Sequence, residues 1–327
     1  MLSLEWLGLR VLPARARVRW LSLLLLGLML GLPAAAQLRT RTRKAAPARP
    51  AVVAPLPENP PAVQKKLDLA ADLVNQFKDS EALAIYQDVL KTNPLHYLAL
   101  WQAAVLSVKI GARYSDETRK AAYFDAGRQY GERALLLRPE GGESNLAVAL
   151  ALFNQATLYK AGARLKAFKD LRSHVYLATQ NRPDMPQAWQ LLGRWQYRVA
   201  HYSVLERLYS NLVLGGMPAG GSSREAIEAL EKAHRMAPQN LQFCYDLARM
   251  YKYQGRRRRA IEILRHAEKI PPVTSEDLVL SRLCRKMLPP LLRADARRQK
   301  RLASARRPAT PNAGAPADTT GNNDGSD

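Results

Sequence analysis

One spacing, repeated at a fixed distance, limits what this chain can fold into. Ala226, Leu230, Ala233 and Pro238 stand 4, 3 and 5 residues apart, and Ala260, Leu264, Ala267 and Pro272 repeat the set 34 residues later. Ala82, Tyr86, Val89 and Pro94 are a third copy, and Leu171, Val175, Ala178 and Pro183 a looser fourth. Steps of four and three place side chains on one face of a helix. The small Ala admits a neighbouring helix, the larger residue fills the space beyond it, and the proline stops the helix. Such a unit cannot bury its apolar face alone, so several must stack. Apolar–polar alternation is absent, so strands find no support.

The upstream half of each unit agrees. Leu247, Ala248, Tyr251 and Gly255 precede Ala260 as a first helix and its turn, and Trp189, Leu192 and Gly193 form W-x-x-L-G. The pattern resembles the tetratricopeptide repeat: strongly over 239–272, well over 63–94 and partially elsewhere. The resemblance implies an all-α, right-handed helical solenoid. Five helix pairs are expected, at about 63–94, 96–139, 142–183, 186–238 and 239–272. A closing helix at about 274–288 is capped by Thr274-Ser275-Glu276-Asp277. The fourth pair is too long: Trp189 and Ala226 are 37 residues apart, where a standard unit needs about 16. Val204, Leu205, Leu208, Leu212 and Leu214 lie at helical spacing in the surplus, predicting a first helix extended to about Asn211. The loop Gly215–Gly221 then ends it, and Ser222 or Ser223 caps the next helix.

That insertion narrows the resemblance. L-L-G-R-W at 191–195, the extended helix, G-G-x-P at 215–218 and the helix from Ala226 to Pro238 are similar to the family called regulators of microtubule dynamics, over about residues 65–288. Animal members are tetratricopeptide-like proteins linked to microtubules, mitochondria and membrane contact sites.

The ends read differently from the core. Residues 1–36 form an expected signal peptide: Arg10, Arg15, Arg17 and Arg19, an apolar run from Trp20 to Leu32, and Ala34-Ala35-Ala36 before a cleavage site. This predicts an exported, periplasmic or secreted protein, or one anchored through uncleaved residues 20–32. Residues 37–62 read as a Pro-rich basic linker. Residues 63–288 are the repeat domain, and 289–327 a basic, then disordered tail that Pro289-Pro290 begins.

The chemistry of catalysis is missing. No H-E-x-x-H, G-x-x-x-x-G-K-[ST] or G-x-S-x-G occurs, so a non-enzymatic protein without cofactor or metal is expected. His234 and His266, at nearly equivalent places in successive repeats, read as solvated or helix-end residues rather than as a metal pair. Cys244 and Cys284 read as small buried apolar residues, with a disulfide as the alternative. The net charge is +22, and Arg256-Arg257-Arg258-Arg259 suits a solvated surface or an anionic envelope surface or lipid. Nucleic acid is not expected, since no reading motif accompanies the charge. The candidate ligand face is the concave side, lined by first helices. Gln190, Arg194 and Tyr197 share one face of one such helix, as do Tyr245, Arg249 and Lys252 on the next, with Tyr253 alongside. Arginine and tyrosine offer charge-assisted hydrogen bonds and flat apolar surface, so an acidic protein or peptide partner is expected. The alternative is a lipid or other apolar-ligand carrier, its pocket lined by Leu205, Leu208, Leu212 and Leu214.

Overall fold

Proline sets the boundaries between units by a repeated backbone device. The residue before a proline is pushed out of the helical region by the pyrrolidine ring. Asn93, Arg138, Arg182 and Ala237 each precede a proline and end a helix, with φ between −131° and −141° and ψ between 68° and 86°. In each case the residue's N–H still donates to the carbonyl four positions back, so the last helical acceptor is not orphaned.

The computed structural model describes residues 59–305, all within one unit, Ala54–Asp327. The described residues form twelve α-helices and no strand. They pair as α1 (Pro61–Asn75) with α2 (Asp79–Thr92), α3 (Tyr97–Arg113) with α4 (Glu117–Leu137), and α5 (Gly142–Gln155) with α6 (Ala161–Asn181). Next come α7 (Pro186–Ala200), α8 (Val204–Val213) and α9 (Ser223–Met236), then α10 (Leu241–Tyr253) with α11 (Arg257–Glu268), and finally α12 (Ser275–Ala305). The fold is a tetratricopeptide-like helical solenoid. Ala82, Ala226, Ala233, Ala260 and Ala267 are wholly buried, as the repeat register requires.

A close backbone approach lies between α7 and α9. A Cβ added to Gly193 would stand 2.7 Å from Leu230 Cγ and 2.8 Å from the Ala226 carbonyl oxygen. Only a residue without a side chain allows that contact. A second backbone constraint separates the ends of the solenoid. Gly255 follows α10 at φ +70°, the left-handed conformation that closes a helix, and Phe77 occupies the corresponding place after α1 at φ +61°. A non-glycine residue is strained there.

Two expectations fail. The first helix of the fourth unit does not run on to Asn211. It stops at Ala200, and α8 starts afresh from a capping box in which Ser203 and Glu206 satisfy each other's backbone N–H. The closing helix does not stop at 288. It passes through Pro289 and Pro290 to Ala305, because Leu288 and Leu291 are both buried against the core of the last pair. The gain from that burial outweighs the backbone hydrogen bonds lost at the prolines. The expected caps are present: Ser222 accepts from Glu225 N–H, and Thr274 from Asp277 N–H.

Gly193→Ala drives a methyl group into the branch point of the buried Leu230 and into the Ala226 carbonyl, neither of which can swing away. It should destabilise the domain by about 1–3 kcal/mol, measured as a lower urea midpoint at unchanged slope.

Candidate functional site

The C-terminal halves of α5, α7 and α10 come together around a pocket of about 320 Å³. Aromatic and apolar side chains form its surface: Phe153 from α5, Phe168 from α6, Tyr197 from α7, Met250 and Tyr253 from α10. Four arginines reach into it, Arg164, Arg194, Arg198 and Arg249. The Arg194 guanidinium lies over the Phe153 ring at 4.6 Å, and that of Arg198 over Tyr202 at 5.0 Å. Such contacts hold the cation against a ring face while leaving its N–H edges for a ligand.

A buried carboxylate organises the charge. Asp246 accepts from Gln190 Nε2 at 2.6 Å and Gln242 Nε2 at 3.0 Å, and faces Arg194 at 3.9 Å. Burial works against the Arg249 charge, but Tyr253, Tyr245 and Asp246 outweigh it and raise the guanidinium above its ordinary range. Arg194 thus has an internal counter-ion in Asp246, which also lines the pocket with Arg249. Arg198 and Arg164 are committed elsewhere: Arg198 grips Glu206 with both terminal nitrogens, and Arg164 lies 3.6 Å from the same carboxylate. That hydrogen bond with Arg198 lowers the Glu206 carboxyl below its usual range. Arg194 and Arg249 are therefore the cations left to a ligand. Tyr197 and Tyr253 stack at 5.9 Å beside them, a flat apolar platform.

Of the seven residues singled out from sequence, Arg194, Tyr197, Arg249 and Tyr253 line the pocket. Gln190 does not; it is buried and supports Asp246. Tyr245 stands behind Arg249, whose guanidinium lies 5.3 Å from its ring. Lys252 is exposed beside Tyr253, outside the pocket. The sequence reading missed Phe153, Phe168, Arg164, Arg198 and Asp246.

A larger cleft of about 620 Å³ lies between α3, the N-terminal halves of α5, α7 and α10, and the start of α12. Val74, Phe77, Trp101, Leu106, Leu146 and Phe243 give it an apolar lining, and the strained Phe77 stands at its edge. The Gln190–Asp246 hydrogen bond joins the two cavities, since Gln190 lines this cleft and Asp246 the pocket. An ion-pair chain crosses one side of the cleft. Arg113 on α3 pairs with Glu276 at the start of α12 and with the fully buried Asp79 on α2. Lys109 adds a second contact to Asp79 at 2.9 Å. The link joins the second helix pair to the closing helix, 163 residues away in sequence. Burial raises the Glu276 carboxyl, but its backbone hydrogen bond and Arg113 outweigh that and lower it overall.

The four leucines expected to line a carrier pocket do not. Leu205 and Leu212 are 77% and 76% exposed, Leu208 faces solvent as well, and Leu214 packs on the core of the third and fourth pairs. The basic run 256–259 is exposed and splits, with Arg258 3.8 Å from Asp295 and Arg259 3.3 Å from Glu231. Cys244 and Cys284 are buried free thiols. Burial, then Cys284, pushes the Cys244 thiol up to about 12.

The sequence model of the family described as regulator of microtubule dynamics protein 1-3 matches residues 67–292. Regulator of microtubule dynamics protein 3 of Rattus norvegicus is 26% identical over 213 residues, 63% of this chain and 45% of that protein. Regulator of microtubule dynamics protein 2 of Homo sapiens is 24% identical over 176 residues, 53% of this chain and 42% of that protein. The chain thus spans less than half the length of these relatives. Among solved structures, a thermophilic tetratricopeptide protein of Thermus thermophilus superposes with a TM-score of 0.50 at 16% identity, covering 69% of this chain and all of the other.

These relatives overturn the expectation of a periplasmic or secreted protein. They are mammalian proteins named for microtubules, which lie inside eukaryotic cells, and a periplasm is not their place. The segment 1–36 behind that expectation lies outside the described residues. Among the described residues no helix is long and apolar enough to cross a membrane.

The Arg113–Glu276 link should respond to acid. Because the folded-state value of Glu276 is depressed, its contribution is complete above the ordinary glutamate value of about 4.3. It is lost as pH falls through the lower folded value. Hydrogen exchange at the start of α12 should therefore quicken on acidification through that window, and Glu276→Gln should remove the pH step while leaving exchange fast throughout.

Proposed function

The chain belongs to the regulator of microtubule dynamics family, and on that premise we propose that it is a non-enzymatic scaffold whose arginine-lined pocket binds an acidic segment of a protein or peptide partner. The observation that carries this reading is that Arg194 and Arg249 line one pocket with Asp246, next to the Tyr197–Tyr253 stack. An incoming carboxylate gains bidentate hydrogen bonds from a guanidinium. A neighbouring apolar or aromatic side chain gains burial on Phe153, Met250 and the tyrosines. The arrangement holds cations and rings but no nucleophile beside a base, so it recognises and does not react. Nucleic acid is a poor match, because Arg258 and Arg259 turn to separate carboxylates, Asp295 and Glu231, and no reading motif accompanies the run.

A second reading rests on the larger cleft. Its volume and apolar lining suit a lipid-like ligand, although Lys109 and Arg113 beside it are already paired with Asp79 and Glu276. The microtubule link in the relatives' names, carried over to this chain, favours the protein-partner reading.

The test uses short fluorescent peptides that set Asp or Glu beside Phe or Leu, with Asn and Gln counterparts as controls. The acidic peptides should bind the full chain and their amide counterparts should not. The double variant Arg194→Ala, Arg249→Ala should weaken binding at least about tenfold. Asp246 keeps its hydrogen bonds from Gln190 and Gln242 but loses its matching charge, so Tm should fall as well, and binding is compared at a temperature where both proteins keep full helicity. Full affinity in the double variant would sink the reading. An apolar ligand co-purifying equally with both proteins, with no peptide bound by either, would favour the carrier.

A further inference from the structure

We propose that His234, Cys244 and His266 form a zinc site that ties the fourth helix pair to the fifth. The three residues come from three consecutive helices: His234 from the last turn of α9, Cys244 from the first turn of α10, and His266 from the last turn of α11. Their ligand atoms all lie within 4.8 Å of one another. Cys244 Sγ is 3.6 Å from His234 Nδ1. Zinc bonds of about 2.3 Å to sulfur and about 2.0–2.1 Å to nitrogen, at a tetrahedral angle, put those two atoms about 3.5 Å apart. The S···N edge of a zinc tetrahedron is thus already formed. The two imidazole rings lie side by side, centroids 5.7 Å apart and planes inclined at 76°.

The surroundings carry a second mark of a metal site. Histidines that bind metal donate their other ring N–H to a backbone carbonyl or carboxylate, which fixes the tautomer. His266 Nε2 donates to the Pro238 carbonyl at 3.0 Å, which leaves Nδ1 with its lone pair free. The Cys244 thiol donates to the same carbonyl at 3.5 Å. Pro238 therefore orients His266 from the turn that the repeat uses to end α9, while the Cys244 S–H contact to the same carbonyl is given up when zinc takes the sulfur as thiolate.

Nitrogen and sulfur donors together select zinc and similar thiophilic ions over magnesium or calcium. Three protein ligands leave a fourth position for water or for a partner's side chain. On binding, the Zn–S bond forms as the S–H proton passes to water, while both imidazoles remain neutral. An ion has a way in, because His234 also lines a shallow surface depression of about 230 Å³ with Glu231 and Tyr251. None of the three residues lines the arginine pocket, so the inference stands apart from the peptide reading.

The experiment titrates the metal-stripped full chain with Co²⁺ as a spectroscopic stand-in, followed by Zn²⁺. A sulfur-to-cobalt charge-transfer band should rise, saturate at one equivalent and vanish on adding zinc, and zinc should raise Tm. His234→Gln and His266→Gln change half-exposed residues and should leave helicity intact. Each should weaken cobalt binding by about 100-fold or more. Cys244→Ala should abolish the band, and Cys284→Ala should retain it. Cobalt uptake without a thiolate band would mean an adventitious ion only. That result, no uptake at all, a band that survives in both histidine variants, or a band that follows Cys284 would each overturn the site.

Discussion

Everything in this molecule depends on how closely one helix can approach the next. At Gly193 the backbone of α7 stands against Leu230 and the Ala226 carbonyl with no room for a methyl group. Buried alanines do the same work at Ala82, Ala233, Ala260 and Ala267. Close contact on one side of each first helix leaves its other side free to face the next pair. The first helices α5, α7 and α10 therefore lie near enough for Phe153, Arg194 and Arg249 to line one pocket. A wider spacing at α7 and α9 would keep the helices but separate the arginines.

Within that frame Asp246 has the role that a core residue has elsewhere. A buried carboxylate is costly unless its oxygens are hydrogen-bonded and its charge is matched. Gln190 and Gln242 provide the hydrogen bonds, and Arg194 the charge. The network holds Arg194 in place without using all of its donors, so the side chain is both fixed and available. Glu206 plays the opposite part. By holding both Arg198 and Arg164, it removes two of the four cations from competition. It comes from α8, the insertion that distinguishes this chain from a plain repeat. The insertion therefore edits the charge of the pocket while its own Val204 and Leu205 face outward.

The sequence displayed the parts of this arrangement that are local. A proline and a 4-3-5 spacing are read within one helix, and Asn93, Arg138, Arg182 and Ala237 show the backbone obeying them. Arg194 and Tyr197 share a helix face, as do Arg249 and Tyr253, so four pocket residues were visible from periodicity. Gln190 shares that periodicity but lies one turn toward the helix start, where it meets Asp246 instead of solvent. Phe153 and Phe168 belong to the preceding pair, and no spacing within one repeat announces them. The break between α7 and α8 did have a local signal, the Ser203–Glu206 capping box, which the continuing apolar pattern of Val204 to Leu212 concealed. The run through Pro289-Pro290 had none, because burial of Leu288 and Leu291 on another helix decides it. The cluster of His234, Cys244 and His266 is likewise a product of tertiary packing, since its members sit on separate helices.

The central claim is that Arg194 and Arg249, set by Asp246, are where this scaffold meets its partner. The most direct measurement is a crystal structure of the full chain bound to an acidic peptide selected on it from a random library. The account predicts a peptide carboxylate within hydrogen-bond distance of both guanidinium groups, with an apolar side chain resting on Phe153 or Tyr253. A peptide seated in the larger cleft or on the second helices, with Arg194 still turned only to Asp246, would contradict it.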